Sequence, residues 1–371
     1  MRNTALCGLV AAVLAASVGT GTATAAPLAA PEKIDGIDLT VDLTSLAGRV
    51  TALENRLKGH HVPFKDIATR LTTRACDGPG EIAAGQHLPS DAEKRCWSGS
   101  DTDNAWKPQG ITSTADASPT NSYDGRQALA VTSYRQVGGK QQARVSLLPN
   151  FAHEGYKHIS LREPTGRFGT LVDCHAGGAV WYGHHLLVAC TGQIKVFDWR
   201  KVYKTDRNAP NAGATLFMLQ VGKIEDTKRV RFSSIALDRS VTPNLLVTSE
   251  YTDGRCGAGT CRVFLNQIPD GLGTTTLKAH DAYRMPFRMQ GAVSRGDQLW
   301  TSTSAGRRNP GRLHSWLVGG PTPKEHRQWT VGSESVSYWN RGNGTGVLLT
   351  VTEHEDRRII AAVESTHYPY R

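Results

Sequence analysis

The sequence predicts an all-β protein, a five-bladed β-propeller behind a short N-terminal helix. Three observations carry the prediction. Five segments repeat one pattern, a small polar start followed by a β-forming run: PQGIT at 108–112, GGAVW at 177–181, SSIAL at 233–237, QGAVS at 290–294 and ESVSY at 334–338. Their recurrence at roughly 45–65 residues is the spacing of blades or solenoid repeats. The composition, with 38 glycines and little helical periodicity after residue 60, favours strands and turns. The last repeat leaves no room for a fourth strand before residue 371, so its outer strand must come from upstream of Trp106. That is how a propeller ring closes and removes its two edges. Six blades would result if residues 60–105 folded as a blade of their own.

Taken in order, residues 1–25 read as a signal peptide. Arg2 supplies the charged start, residues 5–18 the apolar stretch, and Ala23-Thr24-Ala25 the small-residue cleavage site. Export follows, and no later stretch approaches the ~18 apolar residues of a membrane span. Residues 37–58 read as a helix, because Leu39, Leu43, Leu46, Val50, Leu53 and Leu57 are spaced 4-3-4-3-4. The stripe serves either to pack this helix on the body or to build a short homo-oligomer stalk. Residues 59–105 are irregular and would be stapled by a disulfide between Cys76 and Cys96 while contributing the ring closure.

The propeller occupies 106–371. Its strands are expected at 111–114, 128–134, 143–148 and 156–161; at 179–182, 186–189, 193–199 and 215–221; at 235–238, 245–251, 261–267 and 274–278; at 292–294, 298–303, 312–317 and 327–331; and at 336–339, 347–352 and 358–363. An even set of six cysteines beyond the leader indicates disulfides, for which neighbour pairing is the simplest choice: Cys174 with Cys190 and Cys256 with Cys261 besides the first pair. Tryptophans at matching blade positions point to packing between blades.

Lysine and arginine number 43 against 33 acidic residues, a formal charge of +10. For an exported protein this suits an extracellular polysaccharide or anionic wall polymer as partner. Nucleic acid is not indicated, since no basic run is interleaved with aromatics. No GxSxG, HExxH or P-loop is present. No metal site or cofactor is expected; Asp101, Asp103 and Asn104 offer Ca²⁺ oxygens but lack the glycine and terminal glutamate of an EF-hand loop.

Trp106 to Ile111 (WKPQGI), His175 to Gly178 with Trp181-Tyr182-Gly183, SVSYW at 335–339 and LTVTEH at 349–354 resemble exported propeller proteins of actinobacteria. The plan of an N-terminal helix before five blades is also similar to olfactomedin-like proteins, without their motifs. The resemblance implies fold and export and assigns no catalytic residue.

In a propeller the starts of first strands and the ends of second strands meet at one channel mouth, where loops on a rigid scaffold form sites. This predicts a ligand site from Gln109, His175, Gln290 and Glu334 with a basic collar of Lys107, Arg231 and Arg288. It suits binding of a carbohydrate or anionic polymer. The alternative is an enzyme at the same mouth. A glycoside hydrolase would draw paired carboxylates from Glu250, Glu334 and Glu353. A uronic-acid lyase would use His175 with Tyr134 or Tyr251, backed by Arg231 and Arg288.

Overall fold

A computed structural model describes residues 28–69, 86–97, 106–149, 155–208, 215–228, 230–252, 256, 261–273, 275–341, 346–355 and 358–370. The leader, Cys76, the Ca²⁺ candidate at 101–104 and the rest of 70–85 lie outside them.

The N-terminal segment lays strands and helices against the ring: β1 (Glu32–Lys33), β2 (Leu39–Asp42), α1 (Ala47–Arg56), α2 (Phe64–Thr69) and β3 (Glu93–Cys96). Blade 1 is β4 (Lys107–Ser113), β5 (Ala128–Val137), β6 (Lys140–Pro149) and β7 (Lys157–Glu163), with a short α3 (Thr114–Ala117) after β4 and β8 (Thr170–Leu171) on the rim of β7. Blade 2 is β9 (Ala179–Tyr182), β10 (His185–Ala189), β11 (Ile194–Lys204) and β12 (Leu216–Glu225). Blade 3 is β13 (Ser234–Asp238), β14 (Asn244–Ser249), β15 (Arg262–Ile268), the detached β16 (Thr276–Leu277) and the outer β17 (Ala279–Arg284). Blade 4 is β18 (Gly291–Arg295), β19 (Gln298–Ala305), β20 (Asn309–Leu317) and β21 (Lys324–His326). Blade 5 is β22 (Ser333–Asn340), β23 (Gly346–Thr352) and β24 (Ile359–Glu364). The described residues therefore form five blades, and β3 adds the fourth strand to blade 5 through Ile359↔Cys96 to Ala362↔Glu93.

The repeated small residue has a steric cause. It falls at Gly110, Gly178, Ser234, Gly291 and Ser335, where the innermost strands crowd together. A Cβ on Gly110 would sit 2.7 Å from the Gly178 carbonyl carbon, one on Gly178 2.9 Å from that of Ser234, and one on Gly291 2.7 Å from Ser335 Cα. These innermost edges have no neighbouring strand, so hydroxyls satisfy them. Ser335 Oγ accepts the Ile111 N–H at 3.1 Å, and Thr112 Oγ1 accepts that of Trp181 at 2.9 Å. Large rings fill the space between blades: Trp181 stacks on Trp199 at 4.5 Å, and Trp181, Trp199, Trp316 and Trp329 are fully buried, unavailable as sugar platforms.

The N-terminal helix is shorter than the leucine spacing predicts. Leu39 and Val41 point inward from β2, which pairs with both β12 and β16. Asp42 ends that strand, its Oδ1 accepting the N–H groups of Thr44 at 3.0 Å and Ser45 at 2.9 Å, an Asx turn that launches α1. Val50, Leu53 and Leu57 are buried, with Leu53 and Leu57 packed beside Tyr203, Phe217 and Leu219 of blade 2. The continuous stripe for a homo-oligomer stalk at 39–57 is thus absent, because blade 2 already covers it. Strand boundaries in the third repeat also differ. The predicted 274–278 pairs with β2 instead, and β17 supplies the blade's outer strand. No described helix is long and apolar enough to cross a membrane.

Candidate functional site

Where the five innermost strands begin, the ring encloses a cavity of about 500 Å³ lined from every blade, within the roughly 300–1,000 Å³ of small-molecule sites. The residue before each repeated small residue is the one that faces it: Gln109, Ser233, Gln290 and Glu334, with His175 standing in for Gly177 in blade 2.

Two β-bulges aim the buried members. In β4 the register slips between Pro108 and Gly110, leaving Gln109 unopposed. In β22 it slips between Ser333 and Val336, so that Glu334 and Ser335 face a single residue of β23. A bulge frees one side chain from the alternation of the strand and turns it. Gln109 and Glu334 are 2% and 5% exposed, which sets them in the cavity floor.

Glu353 follows the end of β23, held by its N–H to the Gly332 carbonyl at 3.1 Å. Its Oε2 accepts from Gln109 Nε2 at 3.3 Å, and its Oε1 lies 3.9 Å from His354 Nδ1. Glu334 carries no hydrogen bond to its carboxyl among the described residues. Burial holds its proton on, pushing its pKa well above the usual carboxylate range; the neighbouring Glu353 charge adds to this and Lys107 opposes it. One wall therefore presents a carboxyl that holds its proton more tightly than usual, beside a second carboxyl group.

Near these carboxyls His175 packs on Tyr134, ring centroids 4.3 Å apart. Gln141 Nε2 donates to His175 Nδ1 at 3.0 Å, which leaves the proton on Nε2. Burial keeps the ring neutral, with Arg231 and Lys107 acting in the same direction against Glu353. Burial, with Glu353 and Glu334 nearby, pushes the Tyr134 phenol up to about 12. His175 Nε2 and the Tyr134 phenol are thus hydrogen-bond donors at neutral pH. The disulfide between Cys174 and Cys190 clamps the two segments that deliver His175 and Thr191. Beside it Ala176 (φ 58°) and Thr191 (φ 65°) hold left-handed backbone, strain of the kind found at binding sites.

The structure gathers Gln109, His175, Arg231, Gln290, Glu334 and Glu353 and leaves two predicted members out. Glu250 is buried under Arg262, whose Nε and Nη2 reach its two oxygens at 2.6 and 2.8 Å, and it also accepts the Arg231 N–H at 2.9 Å. It is a neutralised structural carboxylate. Arg288 is exposed and does not line the cavity, so the basic collar reduces to Lys107 and Arg231. Gln141 and Phe232 line the cavity without a sequence signal, Gln141 because it comes from a third strand. The second pair, Cys256 with Cys261, forms in blade 3; Cys96 is disulfide-bonded, with Cys76 outside the described residues. No group of three or more metal-binding side chains is assembled among the described residues.

No family model matches the sequence, and no curated protein does. Among solved structures the chain is similar to Sqt1 from Chaetomium thermophilum, at 12% identity and TM-score 0.33, over 68% of this chain and 58% of that one. It is also similar to the GH43_1 enzyme from Xanthomonas citri complexed with xylotriose, at 8% identity and TM-score 0.38, over 71% and 88%. An α-L-arabinofuranosidase from Podospora anserina in complex with cellotriose aligns at 10% identity and TM-score 0.34, over 81% and 98%. The chain spans under two thirds of the first of these.

Proposed function

We propose that the channel mouth hydrolyses a glycosidic bond of an extracellular saccharide. The observation that carries this reading is the pair Glu334 and Glu353 in one cavity, the first kept protonated by burial. Two carboxyl groups whose surroundings separate their proton affinities supply an acid and its complementary carboxylate. Glu334 donates its proton to the glycosidic oxygen as the bond to the anomeric carbon breaks. Glu353, oriented by Gln109, either activates water on the far face of the sugar or attacks the anomeric carbon itself, according to the separation of the two carboxyl groups. Neutral His175 and Tyr134 donate hydrogen bonds to sugar oxygens, and Lys107 with Arg231 favours acidic substituents at the rim.

The supporting test is a panel of neutral and uronic aryl glycosides and of polysaccharides, run with the mature protein, Glu334→Gln and Glu353→Gln. Hydrolysis lost in both folded variants supports the proposal. Hydrolysis that survives Glu334→Gln, or none across the panel, overturns it. A second reading, saccharide capture without chemistry, draws on Glu353 being engaged by Gln109. It requires binding that Glu334→Gln leaves intact in the absence of any turnover.

A further inference from the structure

The innermost strands run from that mouth to a second one, and the far end is not a closed floor. Beyond Ser113, Leu237, Ser294 and Tyr338 lies a separate cavity of about 280 Å³. Two arginines face it from adjacent blades, Arg239 at the end of β13 and Arg295 at the end of β18.

Both guanidinium groups sit over aromatic rings. Arg239 lies 5.0 Å from the Tyr182 ring centroid and Arg295 5.1 Å from that of Tyr338. Stacking on a ring face leaves the N–H edge of a guanidinium available and fixes its direction. Arg239 spends Nε on the Asp116 main-chain carbonyl at 2.8 Å and Nη2 on that of Ala117 at 3.3 Å. Its remaining Nη1 lies 4.0 Å from Asp270, whose side chain is 89% exposed, a weak attraction in water. Arg295 has no hydrogen bond or ion pair among the described residues.

Two acids share this cavity, and neither forms an ion pair with Arg239 or Arg295 among the described residues. Asp238 is saturated by its own surroundings: Oδ1 accepts from Ser240 N at 2.7 Å and Ser240 Oγ at 2.6 Å, and Oδ2 from Ser294 Oγ and Gly296 N, both at 2.9 Å. Asp116 accepts from Thr112 Oγ1 at 2.6 Å, and burial pushes its carboxyl up to about 7 against that bond and Arg239. Asn340 adds an amide from blade 5.

We propose that this second mouth is a binding site for a small oxyanion, a carboxylate or phosphate group, received between Arg239 and Arg295. The Arg295 fork and the remaining Nη1 of Arg239, brought in from different blades, suit the multidentate recognition of an oxyanion. The cavity's size restricts the ligand to a small acid or one acidic end group. The site stands independently of any chemistry at the first mouth.

Calorimetric titration of the whole protein at low salt with inorganic phosphate and with glucuronate tests it. Saturable binding of either probe is expected, weakened at least tenfold by Arg295→Ala and only partly by Arg295→Lys. Phosphate binding alone or glucuronate binding alone identifies which oxyanion the site takes. The proposal is overturned if neither probe binds, or if Arg295→Ala, confirmed folded by its thermal unfolding, binds as the unaltered protein does.

Discussion

Blades 3 and 5 carry the same two residues at the same register and use them in opposite ways. Glu250 follows β14 and Arg262 begins β15, with Ser249 paired to Val263. Glu353 follows β23, and Arg358 precedes β24 at the corresponding place, since Val351 pairs with Ile360. In blade 3 the guanidinium takes both carboxylate oxygens. In blade 5 Arg358 Nε turns to the Glu353 main-chain carbonyl at 2.8 Å, leaving the carboxylate to Gln109 and His354. One glutamate stabilises a corner; the other is left facing the cavity, where its charge helps keep Glu334 protonated. A repeat therefore does not determine a role: the partner chosen by one arginine does.

The sharpest way to break the comparison is at Glu334. Glu334→Gln should lower kcat by about 10²–10⁴-fold, the ordinary contribution of a positioned general acid, while Glu250→Gln leaves kcat unchanged. Equal losses in steady-state assays would erase the distinction between the blades. Next in size, Arg262→Ala leaves Glu250 buried without its cation and should cost about 3 kcal/mol in urea unfolding, and replacing both by apolar residues should recover most of it.

A third test uses pH. Glu334 has a folded pKa raised above its ordinary 4.5, so the folded state holds its proton more tightly than the unfolded chain. Its stabilising contribution is full below about 4.5 and is lost as pH rises from there toward the raised value. Unfolding measured across that window should show Glu334→Gln gaining on the unaltered protein with rising pH. The smallest effect is at Gln109, where Gln109→Ala removes one bond to Glu353. About 1 kcal/mol, roughly fivefold in kcat/KM, is expected.

The ring and much of its first mouth were legible because the innermost strands are nearly invariant in geometry. A small residue is required where neighbouring main chains approach, so the residue before it can be located, and Gln109, Ser233, Gln290 and Glu334 do line the cavity. Glu250 was not separable from Glu353 by the same logic. Its partner lies 12 residues on, across a hairpin register that spacing does not reveal. The N-terminal stripe misled for a related reason. Leu39 fits both a helical pattern, with Leu43, and an alternating one, with Val41, and the Asx turn at Asp42 decides between them.

The clasp formed by β3 on β24 has a consequence in time. The segment that completes the last blade is synthesised before any blade, and its partner strand among the last. Throughout synthesis the growing sheet keeps an open edge, and every intermediate lacks its final neighbour. Folding of this ring is therefore gated by its last residues. A chain halted before β24 should retain an unpaired strand edge, the feature that drives partly made β-proteins to aggregate.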